Sequence, residues 1–279
     1  MISSKKQLAL EYQKKTDREH ILDAPDTYIG LVDEDRTEGF TFDEGMKWKE
    51  FNWVPGLFKL FDEGAVNCRD HFIRLQEKVS KNEKNVVPVT RIEFTVDKKT
   101  GVITMFNDGN GIDIVKHPEH DLWIPEMIFG HLRTSTNYKK NEKKIVGGKN
   151  GFGFKLVLIY SLWGEIETID HIRKKKYSQR FESNLSVIKK PTIKKSKSIP
   201  YTQVKFLPDY ARFGMKGLTD DMFNLFKKRV YDIAAVTGKN VKVKFNGELI
   251  NVKCFENYID YFIDKKSDTK RLYEKGNDR

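Results

Sequence analysis

Residues 57–75 read LFKLFDEGAVNCRDHFIRL, a stretch with the periodicity of an amphipathic helix. Glu63, Asn67 and Asp70 are spaced i, i+4 and i+7 and therefore fall on one helix face. The apolar residues centre on a different face, which we expect to be buried; they are Leu57, Phe61, Cys68, Phe72 and Leu75. An amide oxygen suits a hard cation such as Mg²⁺, and a carboxylate one turn away can accept a proton from an attacking water. Taken alone, polar residues on an outward helix face are more often simply solvated.

A glycine-containing segment, NDGNGI (107–112), directly follows a predicted strand. Gly109 and Gly111 permit tight backbone geometry and close approach by a flat ligand. Asp108 offers a carboxylate that could accept a hydrogen bond from an exocyclic amine such as that of adenine. The same pattern is common in plain hairpin turns, so both interpretations stay open.

A second glycine-rich segment, VGGKNGFGFKL (146–156), opens a predicted helix. The backbone N–H groups of such a loop, with the positive end of a helix behind them, suit a triphosphate. Lys149 and Lys155 add formal charge. The spacing matches neither the P-loop nor the dinucleotide-binding pattern, so neither class applies. A lone glycine loop is only a weak indication of phosphate binding.

The charge is unevenly distributed along the chain. The 279 residues carry 51 Lys and Arg against 40 Asp and Glu, a net charge of +11. Residues 171–199 (HIRKKKYSQRFESNLSVIKKPTIKKSKSI) hold ten Lys or Arg and one Glu. Such a stretch indicates either a polyanionic partner, most often nucleic acid, or a solvated loop. Charge alone does not decide between them.

The sequence excludes several classes of protein. No apolar run approaches the roughly 20 residues of a membrane span, and the N-terminus lacks the apolar core of a secretory signal. Two cysteines, Cys68 and Cys254, cannot form a disulfide framework. We expect Cys68 to be a buried free thiol. The expected protein is intracellular and not bound to a membrane, with the nucleus and the viral or host cytoplasm left undecided.

Local signals outline the secondary structure. Thr16 and Glu19 form a capping box that starts a short helix ending before Pro25. The other predictions, in chain order, are strand and turn over 39–53, a helix from Pro55 to Val79, a hairpin over Arg91–Val96 and Val102–Phe106, a weak helix over 121–133, an apolar helix over Phe152–Leu162, strands over 164–170, 177–187 and 201–207, a helix over Leu218–Val236, a hairpin over Lys242–Phe245 and Leu249–Lys253, and a helix over Phe255–Ile263. This order fits an α+β fold in which a layer of helices covers a mixed sheet.

The order of the three motifs is more specific than any one of them. An asparagine-bearing helix, then the D-G-x-G segment at 108–111, then G-x-x-G-x-G resembles the GHKL (Bergerat) ATPase superfamily. Further segments are similar to the ATPase region of type IIA DNA topoisomerases of the eukaryotic and large-DNA-virus kind. These are YQKKTDREHILDAPDTYIG (12–30), VPGLFKLFDE (54–63), IPEMIFGHLRTSTNY (124–138), VKFLPDYARFG (204–214) and VKFNGELINVKCFENYIDYF (243–262). The resemblance spans nearly all of the chain and implies a two-layer sandwich of helices on a mixed, mainly antiparallel sheet.

The resemblance also implies roles for individual residues. Glu63 is the expected general base, Asn67 the Mg²⁺ ligand and Asp108 the adenine-binding carboxylate. The adenine pocket is expected to be lined by Ile112, Ile128 and Phe129. Ribose and phosphates are expected to contact Ser135, Thr136 and Asn137, and the β- and γ-phosphates to be wrapped by Gly148, Lys149, Asn150, Gly151, Phe152, Gly153 and Lys155. Tyr12 is the expected contact to the ATP site of a partner subunit.

The implied function is an ATP-operated clamp. In this family two ATPase domains form a homodimer when ATP binds and close over a DNA duplex, while the remaining cleavage core of the same enzyme cuts DNA. We expect an N-terminal strap and first helix over 1–30, the ATPase domain over 31–253 and the start of a transducer domain over 254–279. The family's γ-phosphate lysine lies on a Q-T-K loop beyond residue 279, so this fragment is expected to hydrolyse ATP poorly and to dimerise weakly. The rival interpretations are a mismatch-repair clamp of the same superfamily, which the topoisomerase-like segments disfavour, and a basic DNA-binding module without nucleotide affinity.

Overall fold

The computed structural model describes residues 14–132, 153–263, 267–272 and 274. The helices are α1 (Asp17–Asp23), α2 (Pro25–Tyr28), α3 (Pro55–Ser80), α4 (Ile124–Gly130), α5 (Gly153–Ile159), α6 (Asp220–Ala235) and α7 (Phe255–Ile259). The strands are β1 (Asp35–Phe42), β2 (Met46–Trp53), β3 (Arg91–Val96), β4 (Ile103–Asp108), β5 (Ser161–Asp170), β6 (Lys175–Glu182), β7 (Val187–Ile188), β8 (Thr192–Lys195), β9 (Tyr201–Pro208), β10 (Lys242–Phe245) and β11 (Glu248–Leu249). A 3₁₀ turn covers Tyr210–Phe213.

The predicted capping box at the start of α1 is confirmed. Thr16 N donates to Glu19 Oε2 at 2.8 Å, and Glu19 N donates to Thr16 Oγ1 at 3.3 Å. These reciprocal bonds satisfy two backbone donors that the first helical turn leaves without partners. The helix ends at Asp23, before Pro25, as expected.

Nine strands of the described chain form one mixed sheet. Its order is β11-β10-β3-β4-β9-β5-β6-β7, and β8 also pairs with β6. The β10–β3 pair is parallel, and the other pairs are antiparallel. The α+β prediction with a mixed, mainly antiparallel sheet is confirmed.

Helices cover one face of this sheet. Along β3 and β4 every second residue is buried, namely Ile92, Phe94, Val96, Ile103, Met105 and Asn107. The alternation follows from the two-residue period of a strand. The opposite face is polar and carries ion pairs such as Lys176 with Glu167 at 2.7 Å and Lys244 with Glu93 at 3.2 Å.

Helix α3 lies close to the centre of the covered face. A Cβ on Gly64 would lie 3.0 Å from Met105 Cε and nearer still to its sulfur, so any larger residue there would displace the Met105 side chain. Phe61 stacks on Phe226 of α6 with ring centroids 4.3 Å apart. Arg229 Nε also donates to Asp62 Oδ1 at 2.7 Å, which ties α6 to α3. The predicted core face of α3 is confirmed, because four of its five residues are buried and the fifth, Phe72, is partly buried; the four are Leu57, Phe61, Cys68 and Leu75.

Several predicted helices are shorter than expected. The weak helix predicted over 121–133 covers Ile124–Gly130, and the helix predicted over Leu218–Val236 covers Asp220–Ala235. The apolar helix predicted over Phe152–Leu162 ends at Ile159, because Ser161 already pairs with Pro208 of β9. The helix predicted to reach Ile263 ends at Ile259. The second strand of the last hairpin covers only Glu248–Leu249. Within the described ranges, no helix has the length and apolarity needed to cross a membrane.

Candidate nucleotide site

The polar face of α3 carries the first half of the candidate site. Glu63 lies on the helix rim with its side chain 22% exposed, and its Oε1 is 2.6 Å from Lys59 Nζ one turn earlier. Asn67 is exposed on the next turn. Asp70 differs from both, because it is only 2% exposed. The face predicted from the spacing therefore runs from open rim to buried interior.

The second half of the site meets the first at Gly153. This residue begins α5, and a Cβ built on it would lie 3.0 Å from Glu63 Oε2. The end of the glycine-rich loop is thus a direct neighbour of the α3 carboxylate. The other predicted loop residues, namely Gly148, Lys149, Asn150, Gly151 and Phe152, lie outside the described residues, as do Tyr12, Ser135, Thr136 and Asn137.

Lys155 lies near the start of α5 and is 3% exposed. Burial lowers its pKa to about 8 from the usual 10.5, because the charged form loses hydration. An anion next to this amine would favour the protonated form and raise the pKa again.

The structure places Asp108 differently from the sequence expectation. Its Oδ1 accepts hydrogen bonds from Thr90 N at 2.7 Å and Arg91 N at 2.8 Å, and its Oδ2 accepts one from Thr90 Oγ1 at 2.5 Å. The side chain projects from β4 on the face opposite to α3, because residues 103, 105 and 107 take the covered face. Both oxygens of Asp108 are therefore engaged at the start of β3.

Asn107 is the polar side chain of β4 that does face the helices. It is 7% exposed and follows Met105, the residue in contact with Gly64, by one strand period. Its Nδ2 donates to the carbonyl of Asp108 at 3.0 Å, which leaves Oδ1 as the acceptor of the amide. Sequence reasoning missed this residue, although strand alternation next to Met105 could have indicated it.

The loop after β4 is held against β5. A Cβ on Gly111 would lie 2.6 Å from the carbonyl carbon of Ile169 and nearer still to its oxygen, so a side chain has no room there. Ile112 N donates to Thr168 Oγ1 at 3.0 Å, and Ile114 N donates to Asp170 Oδ2 at 2.9 Å. These two buried polar residues of β5 fix the loop, and no sequence motif marked them.

Asp170 is charged despite its burial. Burial by itself raises the pKa of this carboxyl, but hydrogen bonds from Arg173 and Ile114 outweigh it and lower the pKa below its usual range. Arg173 Nη1 donates to Asp170 Oδ2 at 2.9 Å and to Asp113 Oδ1 at 2.5 Å. The guanidinium thus joins the loop after β4 to the end of β5.

The three predicted apolar lining residues lie on the loop after β4 and on α4. Phe129 is buried, and its ring meets that of Phe154 edge-on at 5.5 Å between centroids. Ile112 and Ile128 are partly buried and pack against the core.

His71 of α3 lies beside the loop that follows β4, near the backbone of Asn110. Burial lowers the pKa of His71 to about 4, so the ring is neutral at pH 7. Its Nε2 is buried and has no hydrogen-bond partner within the described part of the chain.

A cluster of potential metal ligands lies elsewhere, on the exposed turn before α4. The ligand atoms of His117, Glu119 and His120 all lie within 4.8 Å of one another. Imidazole is a poor ligand for Mg²⁺, which prefers oxygen. His117 Nδ1 also accepts a hydrogen bond from Glu119 N at 3.2 Å. This turn is therefore not the expected magnesium site.

Known proteins share this fold. The ATPase region of Saccharomyces cerevisiae topoisomerase II, solved bound to ICRF-187 (dexrazoxane), is 40% identical in sequence and superimposes with a TM-score of 0.87. The alignment covers 97% of this chain and 70% of that chain. The chain belongs to the type II DNA topoisomerase family. It corresponds to the ATPase region of that family, and the predicted GHKL fold is confirmed.

Other topoisomerase II sequences and structures agree. The ATPase and transducer domains of topoisomerase II from Balamuthia mandrillaris are 36% identical with a TM-score of 0.81, over 90% of this chain and 63% of that chain. DNA topoisomerase 2 of Acanthamoeba polyphaga mimivirus is 44% identical over 272 residues, and that of Arabidopsis thaliana is 42% identical over 276 residues. These alignments cover 95% and 96% of this chain but only 20% and 18% of the curated relatives. No protein-family model matches the chain.

Proposed function

We propose that this chain binds and hydrolyses Mg-ATP as the N-terminal gate of a type II DNA topoisomerase. The observation that carries the proposal is the contact between the two halves of the site. Gly153, at the end of the glycine-rich loop, lies against the carboxylate of Glu63. A phosphate chain held by that loop would therefore end beside a carboxylate able to accept a proton.

Glu63 is the proposed general base. Its partly exposed position allows water to reach the carboxylate, and the ion pair with Lys59 holds the side chain toward the rim of α3. A base must lie within hydrogen-bond reach of the proton that it accepts, and a well-held carboxylate meets that condition more often than a mobile one.

Asn67 is the proposed Mg²⁺ ligand. The exposed amide supplies an oxygen of the type that Mg²⁺ accepts, one helical turn from Glu63, so the donor chemistry fits. A bound Mg²⁺ neutralises charge on the phosphates and on the transferring phosphoryl group. One protein ligand is compatible with this ion, which usually keeps several waters.

Base recognition is proposed for Asn107 in place of Asp108. Asn107 lies on the helix-covered face of β4, and its Oδ1 can accept a hydrogen bond from the adenine amine. The carboxylate of Asp108 already accepts three hydrogen bonds at the start of β3. Ile112, Ile128 and Phe129 remain the proposed apolar lining.

The remaining nucleotide contacts are proposed from the resemblance to the family. Lys155 supplies a buried positive charge for the phosphates together with the loop from Gly148 to Gly153. The segment 135–137 and Tyr12 would contribute ribose, phosphate and partner-subunit contacts. ATP-driven homodimerisation, capture of double-stranded DNA and cooperation with the cleavage core are proposed for the whole enzyme.

The test compares two glutamates of one helix. Glu63→Gln is expected to lower ATP hydrolysis by about 10²–10⁴-fold. Its affinity for a non-hydrolysable ATP analogue with Mg²⁺, measured from the rise in melting temperature, should stay within about threefold of the wild-type affinity. The matched control is Glu77→Gln, because Glu77 also pairs with a lysine one turn away, at 2.6 Å. This control should leave hydrolysis unchanged.

Two results would contradict the proposal. Loss of nucleotide affinity in Glu63→Gln would show that the carboxylate binds nucleotide and does not act as the base. Absence of any nucleotide-dependent rise in the wild-type melting temperature would favour the rival class, a DNA-binding module without nucleotide affinity.

A further inference from the structure

The basic stretch 171–199 is built into the sheet. It contains β6, β7 and β8, and β8 pairs antiparallel with β6 at the edge. In this register Lys175 lies opposite Lys195, and Lys176 lies opposite Lys194. Like charges directly opposite each other on neighbouring strands destabilise a sheet. Two such pairs in succession therefore concentrate positive charge at this edge at some cost in stability.

Neighbouring acidic residues do not supply that charge. Of these four lysines, only Lys176 has a carboxylate within ion-pair distance in the described residues, namely Glu167 at 2.7 Å. The turn before β6 and the residues after β8 add lysines that likewise have no carboxylate within 4.0 Å in the described ranges. We call this set the lysine edge; it comprises Lys174, Lys175, Lys194, Lys195 and Lys197.

Most of the other basic residues of the stretch are neutralised locally; Lys190 is the exception among the described residues. Arg180 pairs with Glu165 at 2.6 Å and with Glu182 at 2.8 Å, and Lys189 pairs with Glu182 at 3.0 Å. Arg173 pairs with Asp170 and Asp113. The uncompensated charge is thus concentrated at one end of β6 and β8.

The lysine edge is held in place by the fold. Tyr177 is fully buried and lies opposite Ile193, which fixes β8 against β6. Ser196 N donates to the carbonyl of Lys174 at 2.8 Å and closes the end of the ladder. Lys175 is partly buried and lies 5.9 Å from the centroid of the Trp123 ring, while Lys174, Lys194, Lys195 and Lys197 are held at the surface of the same edge. The backbone that carries these lysines is therefore fixed, and because successive strand residues project to opposite faces, Lys194 and Lys195 place positive charge on both faces of this edge.

We propose that the lysine edge binds the backbone phosphates of double-stranded DNA. The partner class rests on the proposed function, since the chain belongs to a family named for acting on DNA. A row of lysines recognises phosphates through charge and does not read sequence. The two aromatic residues of the stretch itself, Tyr177 and Phe181, are buried, so the stretch presents no stacking platform of the kind that binds single strands.

The experiment measures binding of a fluorescent duplex over a range of salt concentrations. The test variant replaces Lys174, Lys194, Lys195 and Lys197 with Gln. The control variant makes the same change in charge at four lysines elsewhere on the surface, namely Lys47, Lys216, Lys239 and Lys253. The test variant is expected to bind the duplex about tenfold or more weakly at low salt, with a log–log salt slope reduced by about 0.9 for each phosphate that the protein no longer neutralises. The control variant should stay within about twofold of wild type.

A third variant, with Arg at the same four positions, should restore both the affinity and the slope, since charge is what the site uses. A test variant that binds duplex like wild type would overturn the proposal. If that variant also aggregates, the lysines act as edge protection. Equal reductions in the test and control variants would also overturn it, because they would reflect net charge alone. A larger reduction for a single strand than for a duplex would refute the choice of partner.

Stabilisation by the ATP analogue is measured on every variant. It should not change, because the lysine edge contains no residue assigned to the nucleotide site. Failure of the DNA prediction with normal nucleotide binding would leave the proposed ATPase function intact.

Discussion

Replacing Gly111 with alanine tests how firmly the loop after β4 is held. The added Cβ would lie 2.6 Å from the carbonyl carbon of Ile169, whereas ordinary contact begins at 3.4 Å. The obstacle is the backbone of β5, which pairs with β6 and β9 on its two sides and cannot yield as a side chain can. The loop must therefore move by at least about 1 Å.

The size of the effect follows from two terms. Overpacking against a rigid neighbour costs about 1–3 kcal/mol. The shift also stretches the hydrogen bond from Ile112 N to Thr168 Oγ1, which contributes about 1 kcal/mol. A total near 3 kcal/mol lowers the melting temperature by about 6–12 °C for a domain of this size. A displacement of about 1 Å beside Asn107 should weaken nucleotide binding by at least about tenfold.

Thermal melting with and without a non-hydrolysable ATP analogue and Mg²⁺ measures both effects. Gly217→Ala is the matched control, because no atom lies within 4 Å of its added Cβ. That variant should melt like wild type. A Gly111→Ala protein with unchanged melting temperature and unchanged nucleotide affinity would refute the close contact between this loop and β5.

Other predictions follow from neighbouring residues. Asn107→Ala should lower affinity for the ATP analogue by about tenfold, as measured by calorimetry. Asp108→Asn should mainly lower the stability of the fold, by about 1.5–3 kcal/mol, as measured by melting. The reverse result would assign adenine binding to Asp108. His71 has a folded pKa of about 4 and an unfolded value of 6.5, so only the unfolded chain gains a proton as pH falls between them. The free energy of unfolding should therefore drop by about 1.4 kcal/mol for each unit by which the pH falls in that window. Denaturant titrations at several pH values should show that this drop is smaller in His71→Gln and the same as in wild type in the exposed control His120→Gln. Lys155 has a pKa of about 8, so phosphate binding should take up a proton near that pH and weaken as pH rises above it. Calorimetry in two buffers of different ionisation enthalpy should detect this uptake, and an equal uptake in Lys155→Met would assign it elsewhere.

Features encoded by adjacent residues were predictable from the sequence. The capping box of Thr16 and Glu19 and the start of α3 at Pro55 depend on side chains within one helical turn. The i, i+4 spacing likewise placed Glu63 and Asn67 on one face without any knowledge of the fold. The order of motifs then identified the family, which the structural similarity confirms.

Features decided by distant partners were not predictable in the same way. The apolar run through Leu162 suits a helix or a strand, and pairing of Ser161 with Pro208 decides where α5 ends. The roles of Asn107 and Asp108 depend on which of two adjacent side chains faces α3. That choice reverses with a shift of one residue in strand register. Thr168 and Asp170 anchor the loop only because β5 passes beside it.

The parallel pairing of β10 with β3 has a consequence for synthesis of the chain. Residues 91–94 receive their second neighbour only from residues 242–245, after α6 has been made. Until the ribosome has released that late segment, β3 has an unpaired edge next to the strand that carries Asn107. Contacts so distant in sequence also slow folding, since a long loop must close before they form. The edge of β3 is therefore exposed to wrong pairing until residues 242–245 have been made, a period in which a chaperone or a bound ligand would have the greatest effect on yield.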